Sequence, residues 1–312
     1  MHPAISIIFF TTASGAGYGL LVLLAWGALV GHLGSQTGFG IASFVVAIGL
    51  VGAGLLSSLG HLGHPERAWR ALTQWRSSWL SREGVMAILT FLPALAFAWS
   101  WVVAGEVSKL AAALTIVGAL VTTVCTAMIY ASLKPIRAWR NPWTVPVYLT
   151  LGFYTGALLA ALLLHVYGLR GPFVTFLIAV VGLVATALKI GYWMFLDGGR
   201  SASTAETATG LGSIGKVKML DPPHTESNYL LKEMGYRVAR KHARKLRLFV
   251  LLVGFGLPIL LSFLAVQGSD AVAIAGSLLA VASGGLGVVV ERWLFFAEAR
   301  HTVTLYYGSS TA

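Results

Sequence analysis

Long apolar segments recur along the chain, and short polar segments separate them. Residues 41–59 and 145–164 contain no charged side chain, and about 20 apolar residues are enough to cross the hydrocarbon core of a bilayer as an α-helix. The pattern predicts eight membrane-spanning helices, near residues 8–30, 39–59, 84–103, 110–131, 145–165, 172–196, 248–266 and 272–296.

The same segments favour helices over the strands of a membrane β-barrel. Barrel strands are about ten residues long and alternate between apolar and polar positions, whereas these segments are longer and apolar on every face. A helix also satisfies its own backbone hydrogen bonds in lipid. We therefore predict an all-α integral membrane protein, built as a bundle of about eight transmembrane helices.

The composition excludes a soluble globular protein. Hydrophobic residues make up 57% of the chain and charged residues only 11%, against roughly 25% charged residues in soluble domains. Residues 1–6 contain no Lys or Arg, so we expect the first apolar segment to be a span and not a cleavable signal peptide. Cys125 is the single cysteine, which predicts neither a disulfide framework nor a cysteine metal site. We expect one membrane domain, residues 1–312, with a long basic loop at residues 197–246.

Basic residues are distributed unevenly between the two sets of loops. The short loops after spans two and four carry seven of them, whereas the loops on the other side offer only Lys109 and Arg170. Cytoplasmic loops are enriched in Lys and Arg, so we predict that both termini lie in the cytoplasm. The seven residues are Arg67, Arg70, Arg76, Arg82, Lys134, Arg137 and Arg140, and the long loop adds ten more.

The formal net charge of +11 follows from these loops. Two interpretations stay open: the charge sets the topology alone, or it also binds an acidic soluble partner or anionic lipid. Nucleic-acid binding fits poorly, because the charge is spread over the loops of a membrane protein. The candidate residues for docking a partner are Arg70, Arg76, Arg137, Arg140, Lys241 and Arg244.

Two segments on the basic side are expected to be structured. Pro65 is suited to open a helix, and tryptophans recur after it at near-helical spacing with arginines between them, which predicts an interfacial amphipathic helix. Residues 228–247 form a basic helical stretch that leads into span seven. A connection as long as residues 197–246 is uncommon without a role, and docking to another subunit would supply one.

A histidine and a glutamate are expected to approach each other across the hairpin between spans two and three. His61 ends span two and Glu83 opens span three, so both are expected at the cytoplasmic boundary. Imidazole titrates near neutral pH, and general acid–base chemistry needs groups of that kind. Such a pair suits proton exchange with a membrane-soluble quinone. The alternative is a histidine that caps span two and a glutamate that pairs with an interfacial arginine.

Three further ionisable residues lie inside predicted spans. Lys189 lies in span six, and Glu291 and Arg292 lie in span eight; such residues are functional candidates by default. Lys189 can alternatively extend its side chain to the interface, and the adjacent Glu291 and Arg292 are expected to have separate partners. Histidines also ligate haem, but no pair of histidines here has persuasive spacing, so neither haem nor another metal is expected.

The residues around His61 resemble a known family, the membrane anchor of DMSO reductase (DmsC-type). The matching motif is His61-Leu62-Gly63-x-Pro65-x-Arg67-Ala68, followed by Glu83 in Leu80-Ser81-Arg82-Glu83. The end of span eight, Glu291-Arg292-Trp293-Leu294-Phe295-Phe296, is similar to the family's last helix, and Tyr130-Ala131-Ser132 matches more loosely.

The resemblance implies an eight-helix anchor in a three-subunit enzyme. A molybdopterin subunit performs the substrate chemistry, an iron–sulfur subunit transfers the electrons, and the anchor exchanges them with ubiquinone or menaquinone without haem. The family's quinone-site histidine falls on His61 and its acidic partner on Glu83. Arg67, Tyr130 and Arg292 are the further candidates for binding the quinone.

The predicted orientation favours one branch of this family. The His61 end is expected to face the iron–sulfur subunit, and the loop charges place that end in the cytoplasm. DMSO reductases of this type are commonly exported, whereas the related membrane-bound sulfite dehydrogenase keeps its catalytic subunits in the cytoplasm. We therefore expect an anchor in a bacterial inner membrane that passes electrons from sulfite oxidation to quinone.

Three alternatives stay open from the sequence. One is a DMSO reductase anchor that oxidises quinol, and another is a purely structural anchor without a quinone site. The third is a secondary transporter, which would hold its paired charges near the membrane midplane. The ionisable residues here gather toward the cytoplasmic third of the spans, which argues against a transporter.

Overall fold

The computed structural model describes residues 4–33, 36–198, 203–221, 223 and 238–309, and of residues 61 and 238–241 it describes only the backbone. Eight of the described helices are long and apolar enough to cross a membrane. They are α1 (Ile5–Leu29), α2 (Thr37–Ser58), α3 (Trp79–Val102), α4 (Lys109–Ala131), α5 (Thr144–Val166), α6 (Pro172–Asp197), the composite α7 (Val238–Phe249, Val250–Gly256 and Leu257–Gln267) and α8 (Asp270–Ala297). The predicted all-α membrane fold is confirmed.

The third helix begins earlier than the hydrophobic pattern predicts. The side chain of Ser78 accepts a hydrogen bond from the N–H of Ser81, so α3 begins at Trp79 and not near residue 84. In α7 the described helix extends from Val238, so the described part of the predicted basic stretch and span seven form one continuous helix. Hydropathy marks where a helix enters the apolar region, whereas capping and backbone hydrogen bonds decide where it starts.

Helix α1 lies at the centre of the bundle and contacts α2, α4, α5 and α8. Its crossing with α5 brings the two backbones together, because a Cβ atom at Gly19 would lie 2.0 Å from the carbonyl oxygen of Gly152. Small residues allow such close approach in membrane helices, where packing replaces the hydrophobic effect as the driving force. The glycines of α1 and α5 therefore fix the centre of the fold.

The middle of α7 is a π-helical segment, Val250–Gly256, which the hydrophobic pattern does not reveal. The hydroxyl of Tyr154 on α5 donates a 2.9 Å hydrogen bond to the carbonyl of Gly254. A Cβ atom at Gly287 on α8 would lie 2.1 Å from the Cα of Gly254. The segment thus lets α7 pack tightly against two neighbours while its backbone groups stay hydrogen-bonded.

Both ends of the described chain lie on the same side of the bundle, as expected for eight crossings. We call this side the basic end: it contains the starts of α1, α3, α5 and α7 and the ends of α2, α4, α6 and α8. Residues 59–78, 132–143 and 298–309 lie here, together with a short helix, Ala205–Thr209. Residues 228–237 of the predicted basic stretch lie outside the described residues, and residues 238–247 are helical.

The segment after His64 is helical, as the sequence predicts, and it is a 3₁₀-helix, Pro65–Gln74. Its tryptophan Trp69 is exposed, as is Trp75 just after it. The guanidinium of Arg82 donates to the carbonyls of Trp75 and Arg76 at 2.9 and 2.8 Å. This arginine ties the exposed segment to the start of α3.

Candidate functional site

Glu83 is buried inside the bundle at the basic end. Its side chain lies on the second turn of α3, only 4% of the residue is exposed, and the hydroxyl of Thr126 on α4 donates a hydrogen bond to Oε1. The sequence predicted this carboxyl group at the lipid–water boundary. In the structure the side chain points into the bundle against α4, where Thr126 is its hydrogen-bond partner.

An aromatic cluster forms the neighbouring part of the basic end. The rings of Tyr130 on α4 and Tyr148 on α5 stack at 5.8 Å, and Phe295 and Phe296 of α8 pack edge-on against Tyr130. The indole N–H of Trp139 donates a 2.9 Å hydrogen bond to the carbonyl of Phe295. These contacts hold the ends of α4, α5 and α8 in fixed positions.

Arg292 lies against this cluster with 2% of the residue exposed. Its guanidinium carbon is 3.6 Å from the centre of the Tyr148 ring, a cation–π contact. Within the described residues, Nε and Nη1 of Arg292 and the hydroxyl of Tyr148 make no hydrogen bond. Buried polar atoms normally have partners, so these donors are suited to a polar ligand or to ordered water.

A fully buried ion pair lies next to Arg292. The Lys189 ammonium of α6 donates a 2.6 Å hydrogen bond to Oε1 of Glu291 on α8, and both side chains are at most 1% exposed. The other oxygen, Oε2, lies 3.4 Å from Nη1 of Arg292. The alternative in which Lys189 extends to the interface is therefore wrong. Glu291 and Arg292 have separate partners, Lys189 and Tyr148, as expected, and they also contact each other.

Four charged side chains buried at the basic end balance in formal charge when all are ionised. Glu83 and Glu291 supply two negative charges, and Lys189 and Arg292 supply two positive ones. An unpaired charge inside a membrane protein is costly. Lys189, Glu291 and Arg292 also contact one another, whereas Glu83 has the Thr126 hydroxyl as its partner.

A second ion-pair network connects this region to the surface. Arg247 of α7 donates to Asp197 at 2.7 Å and to Glu298 at 2.8 Å, and Asp197 is largely exposed. Burial raises the pKa of the Glu298 carboxyl above its ordinary value, and the guanidinium of Arg247 opposes that shift. The ring of Trp193 lies between the two networks, 4.8 Å from the Lys189 ammonium and 5.5 Å from the guanidinium carbon of Arg247.

The structure brings only some of the predicted site residues together. Glu83 lies near Tyr130, and Tyr130 shares the aromatic cluster with Arg292. Arg67 is exposed, and its ion pair is with the adjacent Glu66 at 3.6 Å. His61 ends a 3₁₀ turn, Leu59–His61, and its side chain lies outside what the structure describes.

Of the residues predicted to dock a partner, some are exposed and one makes a hydrogen bond inside the bundle. Arg70 and Arg76 are exposed and lie over the rings of Trp69 and Trp75, and Arg140 and Arg244 are exposed too. Arg137, in contrast, donates a 2.9 Å hydrogen bond to the carbonyl of Phe195 and so ties residues 132–143 to α6. The side chain of Lys241 lies outside the described residues.

Two members of the site were missed by reasoning from the sequence. Thr126 and Tyr148 are ordinary residues of predicted spans, and nothing in their spacing shows that they face Glu83 and Arg292. The available signal was indirect, since a buried carboxyl or guanidinium needs a partner on a neighbouring helix. Metal-binding residues are a separate question: in the described ranges no three His, Cys, Asp or Glu side chains cluster to hold an ion.

Comparison with known proteins places this arrangement in a family. The family described as DMSO reductase anchor subunit (DmsC) matches residues 1–297. The chain belongs to the DMSO reductase anchor subunit family. The resemblance seen around His61 and Glu83 is thereby confirmed, and the protein is a multi-pass membrane anchor within an oxidoreductase complex.

Two relatives show how far the similarity extends. The C subunit of the sulfite dehydrogenase of Allochromatium vinosum is 35% identical, and the alignment spans 99% of both proteins. The C polypeptide of the anaerobic dimethyl sulfoxide reductase of Escherichia coli strain K12 is 27% identical over 59% of this protein and 67% of its own length. The full-length similarity is thus to the sulfite dehydrogenase protein.

Proposed function

We propose that this anchor exchanges electrons and protons with a membrane quinone at the basic end. The observation that carries the proposal is the Glu83 carboxyl, buried between α3 and α4 with Thr126 as its hydrogen-bond donor. A quinone takes up two electrons and two protons when it is reduced to quinol. A titratable group beside the quinone oxygen is what this chemistry requires.

The side chains around Glu83 fit the polar end of a quinone. Arg292 and Tyr148 present hydrogen-bond donors without protein acceptors among the described residues, and quinone carbonyls are acceptors. Tyr130 supplies an aromatic face beside them. In this proposal Glu83 and His61 exchange protons with the quinone, while Arg292, Tyr130 and Arg67 bind it.

The partners in this proposal are an iron–sulfur subunit and a molybdopterin subunit. The iron–sulfur subunit would dock on the basic end, where Arg70, Arg76, Arg140 and Arg244 are exposed. Exposed arginines suit an acidic partner surface and increase its association rate. The electrons for quinone would enter through this subunit.

Sulfite is the proposed substrate of the whole complex. The sulfite dehydrogenase relative from Allochromatium vinosum matches over 99% of both proteins, and the loop charges favour a cytoplasmic basic end in a bacterial inner membrane. Electrons would then flow from sulfite oxidation in the cytoplasm to quinone. The partial match to the dimethyl sulfoxide reductase protein supports the second candidate, quinol oxidation by a DMSO reductase anchor.

Substitution of Glu83 in the assembled complex tests the proposal. Glu83→Gln keeps an oxygen for the Thr126 hydroxyl but removes the exchangeable carboxyl proton. We expect quinone-linked turnover to fall by about 10²-fold, while turnover with an artificial dye stays unchanged because the dye takes electrons before the anchor. His61→Arg is expected to give the same separation of the two activities.

Glu106→Gln provides the matched control, because Glu106 is an exposed carboxylate at the opposite end of the bundle. This variant is expected to keep both activities. Unchanged quinone turnover in Glu83→Gln would remove Glu83 from the site, and a parallel loss of dye turnover would show a defect of assembly instead.

A further inference from the structure

We propose that the Lys189–Glu291 ion pair, together with Glu298, forms a route that moves protons between the basic surface and the site around Glu83. The route deepens the quinone function and rests on it. It consists of titratable groups from α6 and α8 and the residue just after α8, and it begins at a surface that Asp197 and Arg247 keep polar.

The outer half of the route leads from the surface to the buried lysine. Glu298 is 9% exposed, pairs with Arg247 at 2.8 Å and lies close enough to Lys189 to interact with it electrostatically. Because burial raises the pKa of Glu298, its carboxyl group holds a proton at higher pH than an ordinary glutamate. It is therefore suited to take protons from water and pass them inward.

The inner half of the route leads from the ion pair toward Glu83. Glu291 receives the Lys189 hydrogen bond on Oε1, and its Oε2 faces Nη1 of Arg292 without a hydrogen bond. The Tyr148 hydroxyl lies in the same region, and it too is buried and lacks a hydrogen bond within the described residues. A buried water needs two to four polar partners. Oε2 of Glu291, Nη1 of Arg292 and the Tyr148 hydroxyl are such partners for a water on this part of the route.

Arg292 and Arg247 cannot be steps of the route, since a guanidinium does not give up its proton in proteins. Their part is to hold neighbouring carboxylates in place. Arg247 binds Glu298, and Arg292 lies between Glu291 and the Tyr148 ring. The positioning arginines thus alternate with titratable groups along the path.

Each transfer conserves protons and involves no redox change. An N–H bond of the Lys189 ammonium breaks as an O–H bond forms at Oε1 of Glu291, which leaves a neutral amine and a neutral acid. Glu291 then passes its proton on toward Glu83, and Lys189 takes up another from the side of Glu298. Two such proton transfers along the route supply the two protons of one quinone reduction, and both electrons come from the iron–sulfur partner. During quinol oxidation the protons move in the opposite direction.

A purely structural role explains the pair less well. Replacing a buried ion pair with apolar side chains is often neutral or stabilising, so the pair is not needed to join α6 to α8. Ionisable residues within membrane helices are also costly and commonly mark proton paths. A structural role alone also does not explain why the pair lies between the Arg247 ion-pair network and the donors of Arg292 and Tyr148 that have no hydrogen-bond acceptor among the described residues.

Removing both charges at once tests the route. In Lys189→Met combined with Glu291→Gln, the remaining Glu83 and Arg292 still balance in charge. We expect quinone-linked turnover to fall by about 10²-fold with a larger solvent deuterium isotope effect. Dye-linked turnover and the binding of a quinone-site inhibitor should stay at wild-type values, because neither requires proton delivery.

The Arg170–Asp270 ion pair provides the matched control. It joins the start of α6 to the start of α8 at the opposite end of the bundle, so Arg170→Gln combined with Asp270→Asn is expected to change none of the four measurements.

If the Lys189/Glu291 double variant does not assemble, Glu298→Gln takes its place, because Arg247 keeps its ion pair with Asp197 in that variant. The same slowing of quinone turnover is expected.

Two results would overturn the route. Unchanged quinone turnover in the double variant, or in Glu298→Gln where that replaces it, would show that protons travel elsewhere. Loss of inhibitor binding along with turnover would show that the pair shapes the quinone site and does not deliver protons. A failure of the quinone function itself is distinguishable, since the wild-type complex would then bind no inhibitor.

Discussion

Single residues at the basic end show which part of the site a sequence reveals. Ionisable side chains inside apolar segments are visible in the sequence, and Glu83, Lys189, Glu291 and Arg292 all proved to be buried. Their partners are not visible, because contacts such as that between Arg292 and Tyr148 join residues far apart in the chain. A partner that decides a residue's role is thus known only once the helices are packed.

The guanidinium of Arg292 supports a prediction at this scale. Arg292→Lys keeps the positive charge beside Glu291 but loses the planar group that stacks on Tyr148 and its fixed N–H donors. We expect the affinity for a quinone-site inhibitor to weaken by about ten-fold, measured by titration of the purified complex, with dye turnover intact. Wild-type affinity would mean that Arg292 serves only to neutralise Glu291.

At the scale of the elements, the hydrophobic pattern predicts which helices exist but not all of their details. Each predicted span is a helix in the structure. The start of α3 depends on a hydrogen bond to the Ser78 side chain, and the π-helical segment of α7 depends on packing against α5 and α8. Both details arise from specific hydrogen bonds and tertiary contacts, to which average hydropathy is insensitive.

The crossing of α1 and α5 supports a prediction about stability. Gly19→Ala places a methyl group 2.0 Å from the Gly152 carbonyl oxygen, so the two helices must move apart. We expect the free energy of unfolding to fall by about 2 kcal/mol, measured by unfolding of the purified protein in detergent. Gly49→Ala is the control, because a Cβ atom at Gly49 meets nothing within 4 Å. Equal effects of the two substitutions would contradict the close helix crossing.

For the molecule as a whole, the buried charges and the exposed arginines lie at the same end of the bundle, which also contains both ends of the described chain. The sequence predicted this arrangement correctly, since loop charges and span count suffice for it. Arg67, which the sequence suggests as a quinone-binding residue, is exposed at this end and pairs with the adjacent Glu66.

The most direct measurement is photolabelling of the intact complex in lipid with a quinone that carries a photoreactive group on its ring. The account predicts label at the basic end, on peptides containing Glu83, Tyr148 or Arg292, and loss of that label when excess quinone competes. Competable label confined to the opposite end of the bundle, near His32 or Phe173, or to a partner subunit, would contradict it.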